Sequence, residues 1–146
     1  MRTNNIMSTG ESIHPLILNQ KSSRQRILVV DDDADVRHHN VKMLIYSGYD
    51  VEYATDGADG WEALQDRHFD VVITDNTMPK MTGVEMIEKL RSSRMTVPVI
   101  MATGTMPNFE FARKPWLTPD VALIIPFSDD ELLAAIQNVL RKDDDE

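Results

Sequence analysis

Five apolar, strand-like runs alternate with helical stretches along this chain, and that alternation predicts an α/β fold. The expected architecture is a five-stranded parallel sheet, doubly wound, with right-handed crossovers placing helices on both faces. Two further observations support it. The runs are continuous and rich in β-branched residues, as in strands buried on both faces. Several also stop on polar residues: Asp31 and Asp32 after Val30, Asp75 after Thr74, and Thr103 after Ala102. In an open parallel sheet the carboxyl ends of the strands lie along one edge, where ligands bind.

The chain has 146 residues, enough for one domain and too few for two ordinary ones. Residues 1–24 are polar, rich in Ser and Asn, and read as a flexible arm; residues 25–142 form the folded domain; residues 143–146 are an acidic tail. Within the arm, Leu16-Ile17-Leu18 is a short apolar patch that could dock. There is no cysteine, which excludes disulfides, thiolate metal sites and a Cys nucleophile and fits a reducing compartment. With 24 acidic and 15 basic residues the net charge is -9, which repels nucleic-acid backbones. No apolar run approaches the roughly eighteen residues of a membrane span, and Ile13 to Leu18 is too short and interrupted for a signal-peptide core. The expected location is the cytoplasm, with no membrane and no nucleic acid among the partners.

Arg26 to Val30 is the first strand, and it runs into Asp31-Asp32-Asp33. Three adjacent carboxylates repel; two unit charges ~4 Å apart cost about 1 kcal/mol in water and about 4 at an effective dielectric of 20. Either a cation offsets them or they form a solvated acidic helix start. A helix over Ala34 to Ser47 follows, with Val36, Met43 and Leu44 inward, His38 and His39 facing solvent and Gly48 as its stop. Val51 to Ala54 is a short strand, and Ala58 to Arg67 a second helix with Trp61 and Leu64 inward.

Val71 to Thr74 is the pivotal strand; it ends on Asp75, and Met78-Pro79 prevents its continuation. Asp75 alone reads equally as a turn cap or as a ligand-site carboxylate. Thr82 and Glu85 have the spacing of a capping box for a helix from Gly83 to about Arg91. Val97 to Ala102 is the fourth strand, ending in Thr103-Gly104. Pro107 and Pro115 bracket Asn108 to Lys114, so any helix there is short. Phe109, Phe111, Trp116 and Leu117 in this region are read as core packing or as a partner surface. Val121 to Ile125 is the fifth strand, closed by Pro126-Phe127. Ser128 and Glu131 form a second capping box, and Leu132, Leu133, Ile136, Val139 and Leu140 trace one face of the final helix.

Carboxylates distant in sequence should therefore converge at one sheet edge, with the Thr103 hydroxyl beside them. An all-oxygen donor set without His or Cys suits Mg²⁺, or Mn²⁺, rather than Zn²⁺.

From Arg26 to Leu140 the chain resembles the response-regulator receiver domain of bacterial two-component signalling, a flavodoxin-like fold. The resemblance rests on Val30-Asp31-Asp32, on Asp75-x-x-Met78-Pro79-x-x-x-Gly83, on Thr103-Gly104 and on Pro126-Phe127, in order and on matching elements. It implies that Asp75 is the phosphoacceptor. It implies that Asp31 and Asp32 bind Mg²⁺ with Asp75 and the backbone carbonyl of Thr77. Thr103 would be the switch hydroxyl, and the Ile125–Pro126 bond would be cis. Two positions depart from the family: Ile125 stands where a Lys usually precedes Pro-Phe, and Ala122 where an aromatic switch residue is usual.

Three functions follow as expectations. The first is a stand-alone receiver, phosphorylated on Asp75 by a histidine kinase or phosphotransfer protein and signalling through an output protein, with at most self-catalysed phosphorylation and dephosphorylation. The second is a pseudo-receiver, an interaction module that works without phosphorylation, motivated by Ile125 and Ala122. The third is a Mg²⁺-dependent phosphatase; such enzymes commonly carry a second Asp two residues after the nucleophile, where this chain has Thr77.

Overall fold

The computed structural model describes residues 24–145. The arm proposed for residues 1–24, with its Leu16 to Leu18 patch, lies almost wholly outside them. Five strands, β1 (Arg26–Val30), β2 (Asp50–Ala54), β3 (Val71–Thr74), β4 (Val99–Thr103) and β5 (Val121–Ile124), alternate with helices α1 (Ala34–Tyr46), α2 (Gly57–Asp66), α3 (Gly83–Ser92), α4 (Asn108–Arg113) and α5 (Asp129–Asp145). A single 3₁₀ turn, Pro115–Leu117, follows α4. All strand pairs are parallel and the sheet order is β2-β1-β3-β4-β5. The predicted fold class is the observed one.

Strand side chains alternate between faces, and each face builds its own core. Leu28, Val30, Val72, Val99 and Met101 pack on one side with Leu64 of α2 and Met86, Ile87 and Leu90 of α3. Ile27, Val29, Val71, Ile73 and Ile100 pack on the other with Leu44 of α1 and Leu132, Ile136 and Leu140 of α5. Seven apolar residues of the three central strands, Ile27, Leu28, Val71, Val72, Val99, Ile100 and Met101, have no exposure. Burial of a side chain of this size is worth about 1.5–3 kcal/mol, so these strands anchor the edge that carries the polar residues.

Several boundaries differ from expectation. β4 begins at Val99 rather than Val97, because Pro98 has no N–H and contributes only its carbonyl, which accepts from Val72. α5 continues to Asp145, so helical backbone takes in residues set apart above as an acidic tail. β5 is not buried on both sides. Val121 and Leu123 pack inward, whereas Ala122 and Ile124 are exposed. By register those two lie on the face of Met101 and Thr103. The six-residue α4 and its 3₁₀ turn leave that end of the face open. Of the four apolar residues there, Leu117 is buried and Phe111 packs on the core, but Phe109 and Trp116 are 72% and 60% exposed.

Candidate acidic site at the carboxyl edge of the sheet

The three strand-terminal aspartates are not equivalent once folded. Asp33 is the N-cap of α1; its Oδ1 accepts from the amides of Asp35 at 3.0 Å and Val36 at 3.1 Å. It thus answers to the helix-start reading. Asp31 and Asp32 turn the other way and meet Asp75. The three can each direct a carboxylate oxygen into a group lying within 4.8 Å. Asp75 arrives there because β3 lies next to β1, with its amide donating to the Val30 carbonyl at 3.1 Å. Its Oδ1 accepts from the Asn76 amide at 2.7 Å, which orients the carboxylate.

Asp31 is 6% exposed, Asp75 half-buried and Asp32 exposed. Burial, followed by the charges of Asp75, Asp32 and Asp33, raises the Asp31 carboxyl from 3.8 to about 6, against the opposing hydrogen bond from the Asp33 amide. Among the described residues, no ion pair joins Asp31, Asp32 or Asp75 to a basic side chain. A desolvated, unneutralised cluster of hard oxygen donors fits a divalent cation such as Mg²⁺.

The loop from Asp75 to Thr82 is tied at both ends. The Asn76 carbonyl accepts from Gly83, and its side-chain Oδ1 accepts from the amide of Val84, both at 3.0 Å. The capping box of Thr82 and Glu85 is present as the spacing predicted. Gly83 has a steric reason: a Cβ there would lie 2.3 Å from the Asp75 carbonyl oxygen. Thr77 is exposed in this loop, and its carbonyl accepts no hydrogen bond among the described residues.

Thr103 ends β4 on the same edge, 2% exposed; among the described residues its hydroxyl makes only long contacts, accepting from the Thr105 amide at 3.4 Å and donating to the Thr105 carbonyl at 3.5 Å. Its carbonyl accepts from the Ile125 amide at 3.0 Å. The Ile125–Pro126 bond is cis. Ile125 is 40% exposed, and neither it nor Ala122 carries a side-chain donor. Two basic residues that could take the missing Lys role pair elsewhere: Lys114 with Glu88 and Lys80 with Asp56, each at 3.6 Å. His38 and His39 are exposed, and His39 meets Asp129 at 2.8 Å.

Sequence reasoning missed three residues. Arg37 donates to the Asp31 carbonyl at 2.9 Å while lying over the Tyr53 ring, so it braces the backbone of the site. Asp56 and Lys80 brace the opposite loop. No local pattern signals the pairing of Asp56 with Lys80, which depends on the fold.

Residues 27–137 match the family model described as the response regulator receiver domain. The chain is 35% identical over 117 residues to "Response regulator MprA" of Mycobacterium sp. (strain KMS), which covers 80% of this chain and 51% of that protein. It therefore spans about half the length of the curated relatives it matches. A CheY-like receiver domain protein from Methanospirillum hungatei superposes with a TM-score of 0.79 at 28% identity, covering 84% of this chain and 98% of that one. Response regulator protein TrrA from Thermotoga maritima, solved in complex with Mg²⁺-BeF, gives 0.71 at 27% identity, covering 80% and 99%. No helix among the described residues is long and apolar enough to cross a membrane.

Proposed function

Because the chain belongs to the response regulator receiver domain family, whose members act as phosphoacceptors rather than classical catalytic enzymes, we infer that Asp75 accepts a phosphoryl group from a histidine kinase or phosphotransfer protein. The observation that carries this is the convergence of Asp31, Asp32 and Asp75 with no basic partner among the described residues. Asp75 attacks phosphorus through a carboxylate oxygen, the bond from phosphorus to the donor breaks, and an acyl phosphate results. The Asn76 amide holds the attacking carboxylate through Oδ1. Asp31, Asp32, Asp75 and the Thr77 carbonyl would hold Mg²⁺, or Mn²⁺, which supplies charge neutralisation at the site and on the transferring oxygens. That a solved relative is complexed with Mg²⁺-BeF supports the choice of metal.

The Thr103 hydroxyl, held by long contacts alone, is free to turn toward a phosphoryl group. Such a bond exists in one state only, and that differential affinity is what a switch requires. Output then passes to a protein partner.

A second reading is favoured by Ile125 and Ala122: a receiver-fold interaction module that does not depend on phosphorylation. Ile125 offers no cation to the phosphoryl oxygens, and Ala122 no ring to follow Thr103. Intact mass after treatment with acetyl phosphate and Mg²⁺ separates the two. The first reading expects a gain of one phosphate that Asp75→Asn abolishes. Persistence of the gain in that variant would refute the site, and no gain in the parent would favour the second reading.

A further inference from the structure

We propose that Lys80 and Asp56 form a latch that positions the β3–α3 loop, and with it the Thr77 carbonyl, for divalent-metal binding; this rests on the acidic-site reading above. Three observations carry it. Asp56 has a side chain only 7% exposed, and it is already committed as the N-cap of α2, its Oδ1 accepting from the Asp59 amide at 2.8 Å. Its other oxygen lies 3.6 Å from the Lys80 ammonium. A buried carboxylate keeps its charge at lower cost when a cation stands beside it.

Lys80 reaches that position at a φ of 70°. This is the left-handed region, which non-glycine residues enter uncommonly. Glycine would be the usual occupant of such a turn, but glycine has no ammonium to offer Asp56. Beside it, the Met81 backbone closes over the start of α2 so tightly that a Cβ on Gly57 would come 2.0 Å from the Met81 carbonyl oxygen. The apex of the loop is therefore seated on α2, while its base is held by Asn76 and Gly83. Thr77 lies between these two fixed points. An unrestrained apex lets its carbonyl wander, whereas a seated one offers it to the metal ready-placed. Lys80 and Asp56 act as positioning residues and touch neither metal nor phosphoryl group.

The test measures Mg²⁺ affinity by calorimetry, and thermal stability in EDTA, for the unmodified chain and for Lys80→Met, Lys80→Arg and Asp56→Asn. Asn caps helices as well as Asp, so Asp56→Asn removes the charge and keeps the cap. Both Lys80→Met and Asp56→Asn should weaken Mg²⁺ binding about tenfold, the lower end for residues that orient ligands. The double variant should be no weaker than either single one, because one interaction is lost in all three. Lys80→Arg keeps the cation and should retain affinity within about twofold. A latch that merely stabilises the fold would change the melting temperature and leave affinity intact. Parental affinity in Lys80→Met and Asp56→Asn, with the unmodified chain binding normally, would overturn the latch alone. Absence of Mg²⁺ binding by the unmodified chain would overturn the acidic-site reading and the latch together.

Discussion

Asp31→Asn should make the metal-free protein more stable, and the gain should depend on pH. Folding raises the Asp31 carboxyl from 3.8 to about 6, chiefly by burial. The sign follows from proton uptake: between those values the folded state binds more protons than the unfolded one, so stability falls as pH rises. Below 3.8 both states are protonated and the group contributes nothing; above 6 the full penalty applies. A shift of roughly two units corresponds to about 3 kcal/mol. Asn keeps an oxygen for the Asp33 amide that now donates to Oδ1 at 2.9 Å, so most of that penalty should be recovered. At about 4 °C per kcal/mol for a domain of this size, the melting temperature should rise by about 8–12 °C at pH 7. The assay is urea unfolding of parent and variant in EDTA at pH 7, 5 and 4. The gain should shrink steadily as pH falls. With Mg²⁺ at 100 times its Kd the parent should recover about 2.7 kcal/mol by mass action, and the variant much less. An equal gain at pH 4 and pH 7, or no gain at all, would refute the view that Asp31 is held ionised against its surroundings.

Protons compete with the metal at the same carboxylate, so Mg²⁺ affinity measured by titration should fall below about pH 6, approaching tenfold per pH unit for one displaced proton. Gly83→Ala puts a Cβ where the Asp75 carbonyl oxygen lies 2.3 Å away; urea unfolding should show a loss of about 1–3 kcal/mol, with Mg²⁺ binding weakened as Asp75 is displaced. Ile125→Lys restores a cation at the pocket wall; calorimetry should show weaker Mg²⁺ binding by like-charge repulsion, and unchanged or tighter binding would place residue 125 outside the electrostatic reach of the cluster.

The architecture was legible in the sequence because it depends on local periodicity. Continuous β-branched runs such as Val71 to Ile73 can satisfy their apolar surface only as buried strands, and their alternation with helices leaves few topologies open. The site followed from the same logic, since strand ends in a parallel sheet share an edge, and Asp31, Asp32 and Asp75 do meet there. What only the tertiary structure decided was the division of labour among chemically identical residues. Asp31, Asp32 and Asp33 are one unbroken run in the sequence. In the fold the first is buried, the second is exposed within the cluster, and the third caps α1. Likewise Phe109 and Phe111 differ by two positions, yet one faces solvent and the other packs on the core. A helix as short as α4 has too few turns for a period to show which face is inward. The pairing of Lys80 with Asp56 spans twenty-four positions, and no local pattern encodes it. Charge and periodicity act locally, whereas burial and ion-pair partners are set by which distant segments the sheet order brings together.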